Sequence, residues 1–98
     1  MTALLEDKII LVTGASSGIG RETAIMMANH GAKIVAAARR ESNLSETVNQ
    51  IESNGCRATY VVTDITLPEQ IERAVQHAAA HFGGLDAAFN NAGILEPT

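Results

Sequence analysis

Lys8-Ile9-Ile10-Leu11-Val12-Thr13-Gly14-Ala15-Ser16-Ser17-Gly18-Ile19-Gly20 is the stretch on which the fold turns. Its first half, Lys8 to Thr13, is a β-branched and nearly continuous apolar run, the composition of a parallel strand buried on both faces. Gly14 interrupts the run, and a loop rich in glycine and serine continues to Gly20. Arg21 to His30 then contains neither glycine nor proline and reads as a helix, with Gly31 where a left-handed C-terminal cap belongs. Glycine between a strand and a helix serves three ends: a sharp turn, close approach of backbone to a ligand, and tight contact of helix with strand. The N–H groups of Ser17 to Gly20 would point at a ligand from the helix N-terminus, which carries roughly half a positive charge and favours a phosphate. The hydroxyls of Ser16 and Ser17 can add hydrogen bonds. A plain glycine turn is the structural alternative. A P-loop is not, because that cradle ends in Gly-Lys-Ser/Thr and here Gly20 is followed by Arg21-Glu22.

The strand-then-helix rhythm repeats outward from this loop. Lys33 to Ala38 reads as a second strand, and Ser42 as the N-cap of a helix with Leu44, Val48 and Ile51 on one face, stopped at Asn54-Gly55. Arg57 to Thr63 reads as a third strand. Thr66-Leu67-Pro68-Glu69 has capping-box spacing with a proline tolerated in the first turn. The helix that follows carries Ile71, Ala74, Val75, Ala78 and Phe82 as an apolar stripe, Gly83-Gly84 ends it, and Ala87 to Asn90 begins a fourth strand. The pattern βαβαβαβ implies a parallel sheet with crossover helices in one α/β unit.

Composition narrows the partners. The chain has 98 residues, 46% hydrophobic and 18% charged, with a formal charge of −4. That balance is globular and disfavours a nucleic-acid footprint or a polybasic membrane patch. The lone Cys56 cannot form an internal disulfide, so a cytoplasmic location is expected. Apolar runs such as Ile34 to Ala38 are far shorter than the ~20 residues needed to span a bilayer, so no membrane partner is expected.

Thr13-Gly14-Ala15-Ser16-Ser17-Gly18-Ile19-Gly20 resembles the Thr-Gly-x-x-x-Gly-x-Gly signature of the short-chain dehydrogenase/reductase family, in the spacing of its commonest subgroup. Asn90-Asn91-Ala92-Gly93 resembles that family's second signature at the fourth strand. Either motif alone is weak; both together, on the expected elements, are specific, and the similarity runs through essentially the whole chain. The resemblance implies an α/β Rossmann-type sheet of strand order 3-2-1-4, part of an incomplete doubly wound domain. Residues 1–98 would be the N-terminal dinucleotide-binding part of a longer parent, with strand four left as an unpaired edge prone to aggregation. The implied function is hydride transfer between a nicotinamide cofactor, NAD(P)(H), and a carbonyl or alcohol substrate, in a parent that is commonly a homo-oligomer. A dinucleotide-binding module or sensor without catalysis is the alternative.

On this resemblance the cofactor-binding residues are Gly14, Ala15, Ser16, Ser17, Gly18, Ile19, Gly20, Arg39, Arg40, Asp64, Ile65, Asn91, Ala92 and Gly93. An acidic residue near the end of strand two would grip both ribose hydroxyls of NAD and repel a 2′-phosphate. The family's aspartate position falls on Ala38, followed by Arg39 and Arg40, whose guanidinium groups suit a phosphate. NADP is therefore expected ahead of NAD, with Arg39 the main contact; a solvated arginine pair partnered by Glu41 is the alternative. In the resembling family an aspartate at Asp64 bonds the adenine amino group, and the next N–H, of Ile65, meets the ring; otherwise Asp64 merely caps its turn. Asn91 to Gly93 should lie along the cofactor's ribose, while Asn90 braces the sheet and Asp86 is structural.

Family chemistry rests on a serine, on a tyrosine four residues before a lysine, and usually on an asparagine from a later helix. Tyr60 is the single tyrosine and Asp64 stands four residues on, so no catalytic residue is assigned. His77 and His81, four apart, read as surface histidines rather than a metal pair, Cys56 as an unreactive thiol, and Met26 and Met27 as core residues of the first helix.

Overall fold

The computed structural model describes residues 4–91. Seven elements alternate along the chain: β1 (Ile9–Thr13), α1 (Gly18–Asn29), β2 (Lys33–Ala38), α2 (Glu41–Ser53), β3 (Ala58–Val62), α3 (Pro68–Phe82) and β4 (Ala87–Asn90). The strands form one sheet in the order β3-β2-β1-β4, parallel throughout, as the repeating pattern requires. Register places Thr13 opposite both Ala37 and Asn90, and Ala38 opposite Val62, so the four C-terminal strand ends share one edge.

The unbroken apolar runs of β1 and β2 follow from burial on two faces. Ile10, Val12, Ile34 and Ala36 face a core closed by Ala24 and Ala28 of α1 and by Leu44, Val48 and Ile51 of α2. Their neighbours Ile9, Leu11, Val35 and Ala37 point the other way, against Ala74 and Ala78 of α3. Alternate residues of a strand point to opposite faces, so a strand sandwiched between helices must be apolar at every position. Asp86 pins the start of β4 to β1: its carboxylate accepts from the Ile9 N–H at 2.8 Å, and its own N–H donates to the Ile9 carbonyl at 2.8 Å. That is a structural role, as expected of it.

Several local expectations are corrected. Helix α1 begins at Gly18 rather than Arg21, so the last residues of the glycine loop form the helix's first turn. Ser42 is not an N-cap; Arg40 occupies that position and Ser42 lies inside α2. The capping box at Thr66 does not form. Leu67 is the N-cap, with Pro68 in the first turn, and the Thr66 hydroxyl donates to Asp64 instead. Met26 is exposed, because α1 turns its alanines to the sheet and leaves the methionine outside. On α3 the stripe divides: Ala74 and Ala78 are buried, whereas Ile71 and Val75 remain exposed. The expected glycine caps hold, with Gly31 at φ 102° and Gly83 left-handed at φ 94°.

Candidate functional site

Strands β2 and β3 lie on one side of β1 and β4 on the other. The order therefore reverses beside β1, and ligands of open α/β sheets bind in the crevice at the carboxyl ends of strands at such a point. The expected site residues converge on this edge. The loop from Gly14 follows β1, Arg39 and Arg40 follow β2, Asp64 and Ile65 lie beyond β3, and Asn91 follows β4. Ala92 and Gly93 lie outside the described residues.

The loop is shaped by two different demands on glycine. Gly14 and Gly18 adopt φ of 65° and 57°, which side-chain-bearing residues rarely enter. Gly20 is needed for space: a Cβ there would stand 1.9 Å from the Gly14 carbonyl oxygen. Ser17 sits at the N-cap with extended backbone, yet its side chain caps nothing, and the first turn of α1 contains no acidic residue. The positive end of α1 thus opens on the crevice, flanked by exposed Ser17, Gly18 and Ile19. Ala15 faces inward, fully buried, with its N–H on the Ala37 carbonyl at 3.3 Å.

Two residues not singled out in the sequence stand behind the loop. The Arg21 guanidinium donates through Nη2 to the Ser16 carbonyl at 2.6 Å and to the Asn43 carbonyl at 3.0 Å, and through Nε to the Thr47 hydroxyl at 2.8 Å. Glu46 completes an ion pair with it at 3.1 Å. Thr47, wholly buried, donates to the Ala15 carbonyl at 2.8 Å. The only sequence signal was a threonine inside an otherwise ordinary amphipathic helix.

Beside the loop, the Thr13 hydroxyl donates to Asn90 Oδ1 at 3.0 Å, which fits Asn90 as a brace. Asn91 is different. It is 1% exposed, and neither its Oδ1 nor its Nδ2 has a hydrogen-bond partner among the described residues. Its Nδ2 lies against the loop, 2.9 Å from where a Gly20 Cβ would be.

At the outer end of the crevice Arg39 and Arg40 are exposed, and neither forms an ion pair among the described residues. Glu41 does not serve them; it accepts from the Tyr60 hydroxyl at 3.1 Å, which raises the phenol's pKa. Asp64 Oδ1 accepts from the Thr66 hydroxyl at 2.6 Å and the Thr66 N–H at 2.9 Å. These bonds hold its carboxyl below the usual carboxylate range, with a smaller contribution from the charge of Arg39. The turn-capping role of Asp64 is thus present.

The other polar groups are structural. Among the described residues no group of three His, Cys, Asp or Glu could hold a metal ion. Cys56 is half-buried at the opposite edge, where a groove of ≈ 210 Å³ runs past Asp7, Lys33 and Arg57. His77 bonds the Thr59 hydroxyl at 3.1 Å and stacks on His81. Partial burial, then the neighbouring His81, pushes the His77 pKa below 6.5. Between that lowered value and 6.5 the unfolded chain binds more protons than the folded one, so stability is full above this window and declines as pH falls through it. Thermal melts across this range should show that decline, and His77→Gln should flatten it; an unchanged slope in the variant would exonerate His77.

A parallel sheet with helices on both faces, and a glycine loop opening a helix at the point where strand order reverses, defines a Rossmann-type α/β fold. The chain belongs to the short chain dehydrogenase family, whose pattern it matches over residues 8–98. It is 49% identical over 87 residues to an A-factor type gamma-butyrolactone 1'-reductase (1S-forming) of Streptomyces virginiae, covering 89% of this chain and 34% of that relative. A hydroxysteroid dehydrogenase from Escherichia coli superposes with a TM-score of 0.87 at 30% identity, over 90% of this chain and 37% of that one. A short chain dehydrogenase from Mycobacterium smegmatis does so with a TM-score of 0.87 at 35% identity, over 91% of this chain and 38% of that one. The chain spans about a third of the length of the curated relatives it matches, 34% and 37% for two of them. No helix of the described residues is long and apolar enough to cross a membrane.

Proposed function

We propose that residues 1–98 form the N-terminal dinucleotide-binding part of a single Rossmann-type domain, in a cytoplasmic oxidoreductase that transfers hydride between a nicotinamide cofactor and a carbonyl or alcohol. The observation that carries this reading is the uncapped, acid-free N-terminus of α1, opening at the switch point where Gly18 has open space around it. The donor set fits such a group. Backbone N–H groups from Ser17 to Gly20 would hold the pyrophosphate, and Asn91, buried with its amide unsatisfied, lies beside them. Asp64 and the Ile65 N–H would meet the adenine. A bound nicotinamide cofactor would supply or accept the hydride, and the residues named here would hold its dinucleotide. Small-molecule carbonyl chemistry agrees with a relative named as a reductase and another as a hydroxysteroid dehydrogenase. A homo-oligomer is proposed for the whole protein.

NADP(H) is proposed over NAD(H). Ala38 places no acid at the end of β2, and Arg39 and Arg40 stand exposed just beyond it without ion-pair partners among the described residues. Arg39→Glu should weaken NADPH binding by roughly tenfold or more, the loss expected of a charge-assisted pair, and leave NADH binding nearly unchanged. Fluorescence titration with both cofactors decides it: equal effects would sink the phosphate-clamp assignment. The alternative reading is a module that holds the dinucleotide without catalysis; within these 98 residues the single tyrosine, Tyr60, is bonded to Glu41 and lies four residues before Asp64 rather than a lysine. Oxidation of NADPH in the presence of carbonyl compounds separates the two.

A further inference from the structure

We infer that Arg21 and Thr47 are positioning residues of the phosphate loop, setting the direction of its N–H groups and tying it to α2. The inference rests on the dinucleotide reading above. In a trans peptide the carbonyl and the following N–H point in opposite directions, and no peptide bond among the described residues is cis. Drawing the Ala15 carbonyl inward onto Thr47 therefore turns the Ser16 N–H outward. Drawing the Ser16 carbonyl onto Arg21 does the same for the Ser17 N–H. Each N–H then points away from the side chain that holds the preceding carbonyl and donates to no backbone acceptor among the described residues.

The hydrogen-bond inventory specifies the two side chains closely. Thr47 Oγ1 accepts from Arg21 Nε, so its single proton goes to a carbonyl, the nearer being that of Ala15 at 2.8 Å rather than that of Asn43 at 3.1 Å. The planar guanidinium spans Ser16, Asn43 and Thr47 at once; a lysine ammonium, a single point on a flexible stem, cannot match that fork. Thr47 belongs to the helix that begins at Glu41, directly after Arg39 and Arg40. The same bonds therefore fix the loop relative to the segment proposed to read the 2′-phosphate.

Thr47→Val and Thr47→Ser separate positioning from packing. Valine keeps the shape and removes the hydroxyl; serine keeps the hydroxyl and removes a methyl group. Titration with NADPH and NADH is paired with deuterium exchange of residues 14–20 in ligand-free protein. The valine variant should bind dinucleotide about tenfold more weakly and exchange faster in the loop, while the serine variant should stay near the parent in both. Parent-like binding by the valine variant, or a serine variant weaker than the valine one, overturns the positioning role and leaves the dinucleotide reading standing. A parent protein that binds neither dinucleotide overturns the reading and the role together. Should the valine variant fail to fold, Arg21→Lys, which retains the charge facing Glu46, takes its place with the same expected loss of binding and the same overturning result.

Discussion

An alanine at position 20 is expected to destabilise the protein by about 3 kcal/mol and to abolish dinucleotide binding. The added Cβ would lie 1.9 Å from the carbonyl oxygen of Gly14, 2.6 Å from its carbonyl carbon and 2.9 Å from Asn91 Nδ2. Two of these three atoms are backbone, so no rotamer change relieves the contact; α1 or the loop must move. Movement of the loop breaks the bonds from Arg21 and Thr47 to its carbonyls, and movement of α1 opens a core where Ala24 is wholly buried. Gly18→Ala is the control. That position has open space around it but a φ of 57°, so its cost is conformational, about 1–2 kcal/mol. Thermal melts and NADPH titrations of both variants test the distinction. A Gly20→Ala protein that melts and binds like the parent would show that the loop yields without loss.

The same glycines explain where the sequence was legible and where it misled. The unbroken apolar runs Ile9 to Val12 and Ile34 to Ala37 encode two buried faces, and with the helical segments that follow the strands they imply a parallel sheet before any contact is known. The motif at Thr13 to Gly20 likewise announces a strand, a turn and a helix. Composition alone assigns Gly18 to Gly20 to the loop, whereas the geometry uses them as the first helical turn, in which Gly20 passes too close to the Gly14 carbonyl for a Cβ. Caps failed for a related reason. Ser42 and Thr66 carry good capping side chains, but the helix starts are set by where the preceding strands release the chain, and Asp64 captures the Thr66 hydroxyl first. The Arg21–Thr47 contact joins residues on different helices, and the burial of Asn91 depends on β4 pairing with a strand at the other end of the chain. Neither leaves a local pattern to read.

Asn91→Leu should have opposite effects on stability and on binding, and that sign difference makes it the sharpest test of the site. An unpaired buried amide costs roughly 1–3 kcal/mol, and Asn91 buries both polar atoms without a partner among the described residues. Leucine has nearly the same shape and no polar atoms, so the ligand-free protein should become more stable by about 1 kcal/mol. Alanine is the poorer choice, since the cavity it leaves would mask the gain. The amide packs against Gly20, and on the dinucleotide reading proposed above its partners are expected to come from the bound ligand. Removing the amide should weaken NADPH binding by about a hundredfold, the equivalent of roughly 2.7 kcal/mol. Melting curves with and without NADPH measure both quantities on one sample. In the parent the ligand should raise the melting temperature strongly. In the leucine variant the ligand-free curve should move up and the ligand-induced shift should shrink. A lower ligand-free melting temperature with an undiminished ligand shift would instead make Asn91 a structural brace, like its neighbour Asn90, and would take the buried amide out of the binding site.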